Sequence, residues 1–168
     1  MELNLKKNGK LNTNYKDIKK YLEKNNLEKE KITLSDLRKI IIYIRKNKLP
    51  DWKKIGTAGS FFKCPIVDEK IFQKLKKLFP QMPYYRKDIG CKTSICGKYK
   101  IPLAYILDEP LGWKGRQKGN VGVFEKHSLI VVNYRKGTAQ EIKNFATEIS
   151  KDVKQKTGLE ISFEIVIW

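Results

Sequence analysis

Residues 48–65 hold the densest group of side chains whose types and spacing could do chemistry. Lys48-Leu49-Pro50-Asp51 is followed shortly by Gly56-Thr57-Ala58-Gly59-Ser60-Phe61-Phe62-Lys63-Cys64-Pro65. Two glycines close together let backbone approach a ligand, and a serine just beyond them, stiffened by two aromatics, is held still. The plainer reading of Gly-Ser-Phe-Phe is a strand that packs a core. Near the other end Glu160, Ser162 and Glu164 alternate with apolar residues, which describes either a carboxylate available for acid–base work or the solvent face of an edge strand. Cys91 and Cys96 are five apart, and with one histidine in the chain they lack the further ligands of a structural zinc site, so no metal is expected.

The elements that must position these residues can be read from periodicity. Glu2 to Lys6 alternates and predicts a short strand, and Tyr15 to Lys24 predicts a lysine-rich amphipathic helix. Thr33, Ser35 and Asp36 offer N-cap residues ahead of Leu37, Ile40, Ile41 and Ile44, which fall at i, i+3, i+4 and i+7. Leu49-Pro50 ends that helix, because the residue before proline disfavours helix. Gly56 to Val67 reads as extended, and a helix capped by Asp68 follows, with Ile71, Phe72, Leu75, Leu78 and Phe79 on its apolar face. Tyr84 to Lys100 reads as a loop, and Ile101 to Leu107 as a short buried helix or turn.

Val121–Phe124 and Leu129–Asn133 are close enough to form an antiparallel hairpin. Thr138-Ala139-Gln140-Glu141 matches a capping box, the helix beyond it buries Ile142, Phe145, Ala146, Ile149 and Val153, and Gly158 caps its end. Leu159 to Trp168 predicts a closing strand. Strand, strand, helix, strand at the end, with helices elsewhere, argues for an α+β domain with a mainly antiparallel sheet.

The chain has 168 residues, the length of one ordinary domain, and its 40% hydrophobic and 32% charged residues predict a folded globular protein. No apolar run approaches the roughly 20 residues that cross a bilayer, and Met1 to Leu5 lacks the apolar segment of a secretion signal. A cytoplasmic protein away from membranes is therefore expected, and an odd cysteine count of three fits a reducing compartment. The formal charge of +18 predicts attraction to anions without choosing among nucleic acid, acidic lipid and phosphorylated small molecules.

Lys48-Leu49-Pro50-Asp51 and Gly59-Ser60-Phe61-Phe62-Lys63, in this order and spacing, resemble the signature of the MurB family, the UDP-N-acetylenolpyruvoylglucosamine reductases. Lys100 to Asp108 is similar to the family's segment before its Lys-Gly turn, here Lys114-Gly115. Gly122 to Asn133 resembles its hairpin, Thr138-Ala139 opens its last helix, and Gly158 to Glu164 resembles the strand that ends on its catalytic glutamate.

The resemblance implies a MurB carboxy-terminal-domain fold over residues 1–168, with a core from 30 to 168 and a strand and helix in 1–29 leading into it. It also implies a reaction of peptidoglycan synthesis: reduced FAD, recharged by NADPH, delivers hydride to the enolpyruvyl ether and yields UDP-N-acetylmuramate. Ser60 inherits the role of proton donor, and Glu164 acts beside it. A serine is a weak acid, so nearby donors or cations must favour its alkoxide. The two groups, drawn from opposite ends of the polypeptide, should face a common cleft.

Tyr15 matches the tyrosine that closes over the nucleotide sugar, and Lys48 the lysine of the phosphate region. Cys64 and Glu109 take substrate-binding positions where the family has asparagine and glutamine. Further departures are Thr57 for asparagine, Asn120 for glycine, Phe124 for histidine and Val166 for arginine. The family's flavin-binding first half, with its catalytic arginine, has no counterpart in this sequence, so the implied partner is a flavin-binding domain on another polypeptide or missing from this one. Two other functions stay open from the sequence: a non-catalytic UDP-sugar-binding module, and a charge-driven nucleic-acid binder whose affinity would collapse with salt.

Overall fold

The computed structural model describes residues 2–4, 7, 9–86 and 97–167. The chain divides into two compact units, Met1–Leu49 and Pro50–Trp168. Among the described residues no helix is long and apolar enough to cross a membrane.

The first unit is a pair of helices. Tyr15 stands at the N-cap of α1 (Lys16–Lys24), which buries Ile18 and Leu22 four residues apart on one face. A 3-10 turn at Lys29–Lys31 leads to α2 (Leu34–Lys48). The Thr33 hydroxyl accepts from the Asp36 N–H at 3.2 Å, and the Asp36 carboxylate accepts from the Thr33 N–H at 3.1 Å, so two donors free at the helix start are satisfied. Ile40 is the residue of α2 that becomes buried, packed with Ile18 and Leu22 and flanked by Leu37 and Ile44.

Two expectations fail here. Ile41 stays 39% exposed, because α1 has only nine residues and covers a single narrow stripe of its neighbour. Residues 2–4 form no strand, and among the described residues of this unit there is no strand to pair with them; Leu5 and Lys6 lie outside the described residues.

The second unit carries two small antiparallel sheets. The larger joins β1 (Gly56–Ser60), β7 (Ile130–Asn133), β6 (Val121–Val123) and β5 (Gln117–Lys118) in that spatial order. The smaller joins β2 (Ile66–Val67), β4 (Tyr99–Lys100) and β3 (Tyr85–Arg86). Three helices accompany them: α3 (Glu69–Leu78), α4 (Leu103–Asp108) and α5 (Ala139–Thr157).

The α+β class with antiparallel sheets is thus the observed one, and the hairpin of β6 and β7 pairs Val123 with Val131 as its alternation requires. Helix α5 opens with its capping box, Thr138 and Glu141 each accepting the other's N–H, and buries Phe145, Ala146, Ile149 and Val153. It closes on Gly158 at φ 74°, a left-handed conformation that glycine adopts without a side-chain penalty. These residues share one core with Leu75, Ile101, Leu103, Ile106 and Leu107, each fully enclosed.

The segment expected as a loop from Tyr84 to Lys100 contributes β3 and β4 at its two ends, while residues 87–96, including Cys91 and Cys96, lie outside the described set. The expected closing strand is reduced to one bridge, Phe62 opposite Phe163. The backbone of Pro65, two residues past Lys63, has no N–H to continue that ladder, and its carbonyl instead accepts from Ile101 at 2.9 Å.

Candidate active site

The site is built on an irregular strand. Opposite β7, Gly56 pairs with Asn133 and Thr57 with Val132, but Ser60 pairs with Ile130, so β1 holds one residue more than its partner between these points. That is a β-bulge, and Gly59 supplies the backbone it needs at φ 79°. Thr57 holds the bulge in place: its hydroxyl accepts the Gly59 N–H at 3.1 Å and donates to the Val131 carbonyl at 3.4 Å. Ser60 follows the bulge and is exposed.

The carboxy-terminal segment is tied to the same strand. The Phe61 carbonyl accepts the Glu164 N–H at 2.8 Å, and the Lys63 N–H donates to the Ser162 carbonyl at 2.9 Å. Beneath these bonds Phe61, Phe62 and Phe163 pack as a trio, with ring centroids 5.3 to 5.8 Å apart and tilted or edge-on planes. Glu164 is therefore bonded to the residue next to Ser60, although more than a hundred residues separate them in sequence. Both side chains are exposed.

A cavity of about 450 Å³ adjoins them, lined by Ala58, Phe61, Val131, Ile142, Ile165 and Val166 among others. Its lining includes neighbours of both residues on both segments, but neither Ser60 nor Glu164. The Val166 side chain, 73% exposed, puts an apolar surface at this wall.

Among the other sequence-derived candidates, Cys64 is half-buried against the main core, where a polar amide would have needed a partner. Glu109 ends α4, its N–H donating to the Tyr105 carbonyl at 2.9 Å, and its side chain is exposed. Among the described residues no hydrogen bond or ion pair joins Glu109 to Ser60, Cys64 or Glu164.

Tyr15 and Lys48 belong to the first unit, and the fold brings them together there. The Lys48 ammonium donates to Asp17 at 2.8 Å. That hydrogen bond holds the amine above the ordinary lysine range against the opposing cost of burial, and the charge of Asp17 and then the Tyr15 phenol add to the effect. In the sequence Asp17 carries no signal beyond its place two residues after Tyr15, on the first turn of a helix.

No α-helix among the described residues begins on a glycine-rich turn of the kind that receives a dinucleotide's phosphates: the N-caps are Tyr15, Thr33, Asp68, Pro102 and Thr138, and the side chains of Thr33, Asp68 and Thr138 each accept one backbone N–H of the first turn.

The family model for the C-terminal domain of UDP-N-acetylenolpyruvoylglucosamine reductase matches residues 50–168, the second unit. Among full relatives, the UDP-N-acetylenolpyruvoylglucosamine reductase of Flavobacterium johnsoniae is 38% identical over 160 residues, taking in 95% of this chain and 44% of the relative. That of Bdellovibrio bacteriovorus is 34% identical over 164 residues, 98% of this chain and 45% of the relative, and that of Porphyromonas gingivalis is 37% identical over 141 residues, 83% and 39%. The chain spans less than half the length of these relatives. Residues 50–168 carry the carboxy-terminal domain, and the chain belongs to the family of UDP-N-acetylenolpyruvoylglucosamine reductases.

Proposed function

We propose that this chain supplies substrate binding and proton donation to a flavin-dependent reductase that converts UDP-N-acetylenolpyruvoylglucosamine to UDP-N-acetylmuramate. The observation that carries this reading is the pair of backbone bonds that fasten Glu164 beside Phe61, next to Ser60, within a domain whose family membership is established. Reducing equivalents, from FAD and ultimately NADPH, are supplied through a flavin-binding domain that lies on another polypeptide or is missing from this sequence.

What falls to this chain's own residues is the second half of the reduction. Hydride addition at one alkene carbon of the enol ether leaves negative charge on its neighbour and the attached carboxylate, and a proton must then reach that neighbouring carbon. Ser60 donates it from a hydroxyl whose backbone is fixed by the bulge, the Thr57 hydroxyl and the bond from Phe61 N–H to the Leu129 carbonyl at 2.8 Å. Glu164 acts beside it, at the height set by its bond to Phe61. In the first unit Lys48, paired with Asp17, and Tyr15 take substrate-binding roles by their match to the family's motif, and in the second unit Cys64 and Glu109 do so on the same ground.

The test joins the chain to the amino-terminal remainder of the Flavobacterium reductase, loaded with FAD. NADPH oxidation should depend on the enolpyruvyl sugar nucleotide, and Ser60→Ala should slow it by about 10² to 10⁴ fold. Calorimetric affinity for the sugar nucleotide should stay within a few-fold. Equal turnover with and without the Ser60 hydroxyl would remove its assigned role, and unchanged turnover in Glu164→Gln would remove that of the glutamate.

A further inference from the structure

The turn that leads into β1 holds an indole out in water. Trp52 is 74% exposed, whereas Trp113 is buried and its ring N–H donates to Asp152 at 2.7 Å. The backbone around Trp52 is nonetheless well tied. The Asp51 carboxylate accepts the Lys53 N–H at 3.1 Å, the Asp51 carbonyl accepts those of Lys54 and Ile55 at 2.9 Å each, and β1 begins at the next residue, Gly56. A large aromatic face held in the open forgoes the burial that would stabilise it and stays free to stack on the ring of a ligand.

The charges beside the indole point to an anionic ligand. The Lys53 ammonium stands 5.6 Å from the Trp52 ring centroid, and Lys54 follows it; among the described residues neither amine meets a carboxylate in an ion pair. Against the one carboxylate of Asp51 the turn keeps a positive excess. Beyond the turn, Gly56, Ala58 and Ser60 are the exposed positions of β1, and the first two carry no side chain larger than a methyl. From Gly56 to Ser60 the strand covers no more than about 13 Å at the ordinary rise per residue, a distance that a ribose and a diphosphate span when extended. An apolar protein surface would match the indole and leave two ammonium groups uncompensated, whereas a nucleotide matches both.

We propose that Trp52 is the stacking platform for the uracil ring of a uridine-diphosphate sugar, with Lys53 and Lys54 meeting its phosphates and the sugar lying along Gly56 and Ala58 toward Ser60. The inference rests on the reading above that this chain binds such a nucleotide, and it adds which residues grip the end remote from the reaction.

The probe is UDP, titrated into the 168-residue chain and followed by indole fluorescence and calorimetry, in a Trp168→Phe background that leaves Trp52 and the buried Trp113 as the two indoles. Saturable quenching is expected, and ribose 5-phosphate, which has the charge and no base, should produce none. Trp52→Ala should weaken UDP binding roughly ten- to a hundredfold, as the loss of one base–aromatic stack does, whereas Trp52→Phe should keep it within a few-fold. The double substitution Lys53→Gln, Lys54→Gln should weaken the binding of UDP and leave that of uridine unchanged. UDP binding that is indifferent to Trp52→Ala, or equalled by ribose 5-phosphate, overturns the proposal. So does binding confined to an oligothymidylate and lost steeply with salt, which would make the turn a nucleic-acid contact. Absence of any saturable UDP binding would take the substrate reading down as well, whereas UDP binding that ignores Trp52 removes the platform alone. Neither result touches the role given to Ser60, which is read from turnover.

Discussion

Helices α2 and α5 begin with the same device and end in opposite circumstances. Thr33 with Asp36 and Thr138 with Glu141 form reciprocal capping boxes, and in both the carboxyl is held below its ordinary range, by Thr33 and by Thr138 respectively. Yet α2 buries Ile40 alone, whereas α5 buries Phe145, Ala146, Ile149, Val153 and Thr157. The comparison separates two roles. A cap decides where a helix starts, and the stripe it can bury decides how firmly it stays folded.

The largest effect should come from the well-buried helix. Ile149 is fully enclosed, so Ile149→Ala is expected to cost about 2–5 kcal/mol. A urea titration should show the loss in the transition of the second unit and leave the first unit's transition in place. A single transition that moved as a whole would break the contrast between the units.

The caps sharpen the same contrast at smaller scale. Thr138→Ala and Thr33→Ala should each cost about 1 kcal/mol. The first should lower the denaturation midpoint of the second unit, and the second should raise hydrogen exchange along α2 only. Both caps are also acid-sensitive in a definite direction. Because folding lowers the pKa of Asp36 and Glu141, their contribution is complete above the ordinary carboxylate value and is lost as pH falls through the lowered one. Asp36→Ala and Glu141→Ala should therefore lose their difference from the parent chain in acid, whereas the bonds accepted by the Thr33 and Thr138 hydroxyls do not titrate.

The smallest effect belongs to Asp17→Asn. The Lys48–Asp17 pair is partly exposed and screened, and its removal should cost the first unit no more than about 1 kcal/mol. The sign with pH is opposite to that of the caps. Folding raises the lysine pKa, so the contribution is present below the ordinary lysine value and vanishes as pH climbs through the raised one. A thermal melt series from neutral to strongly alkaline pH should show the variant and parent converging.

Much of this architecture is legible in local pattern. Asp68, Thr138 and Gly158 mark helix ends by chemistry confined to a few residues, and each does in the fold what its type suggests. Ile41 misleads, because periodicity reports which residues could be buried and not whether a neighbour exists to bury them. The two-residue strand β5 carries too short a signal to stand out between Gly115 and Gly119. The motif around Ser60 can be read from sequence, but Thr57's grip on Gly59 depends on the bulge and so on β7. The bond from Glu164 to Phe61 lies beyond any local pattern, since it joins residues more than a hundred positions apart in sequence.

The supernumerary residue of β1 also has an arithmetical meaning. Side chains along a strand alternate sides, so whether a count of positions is odd or even decides which way each one looks. Opposite β7, the interval from Thr57 to Ser60 is odd on one strand and even on the other. The hydroxyl of Ser60 therefore owes its outward aspect to how many residues precede it in the turn as much as to which ones they are. At this place the length of the polypeptide itself sets the side on which that hydroxyl is presented.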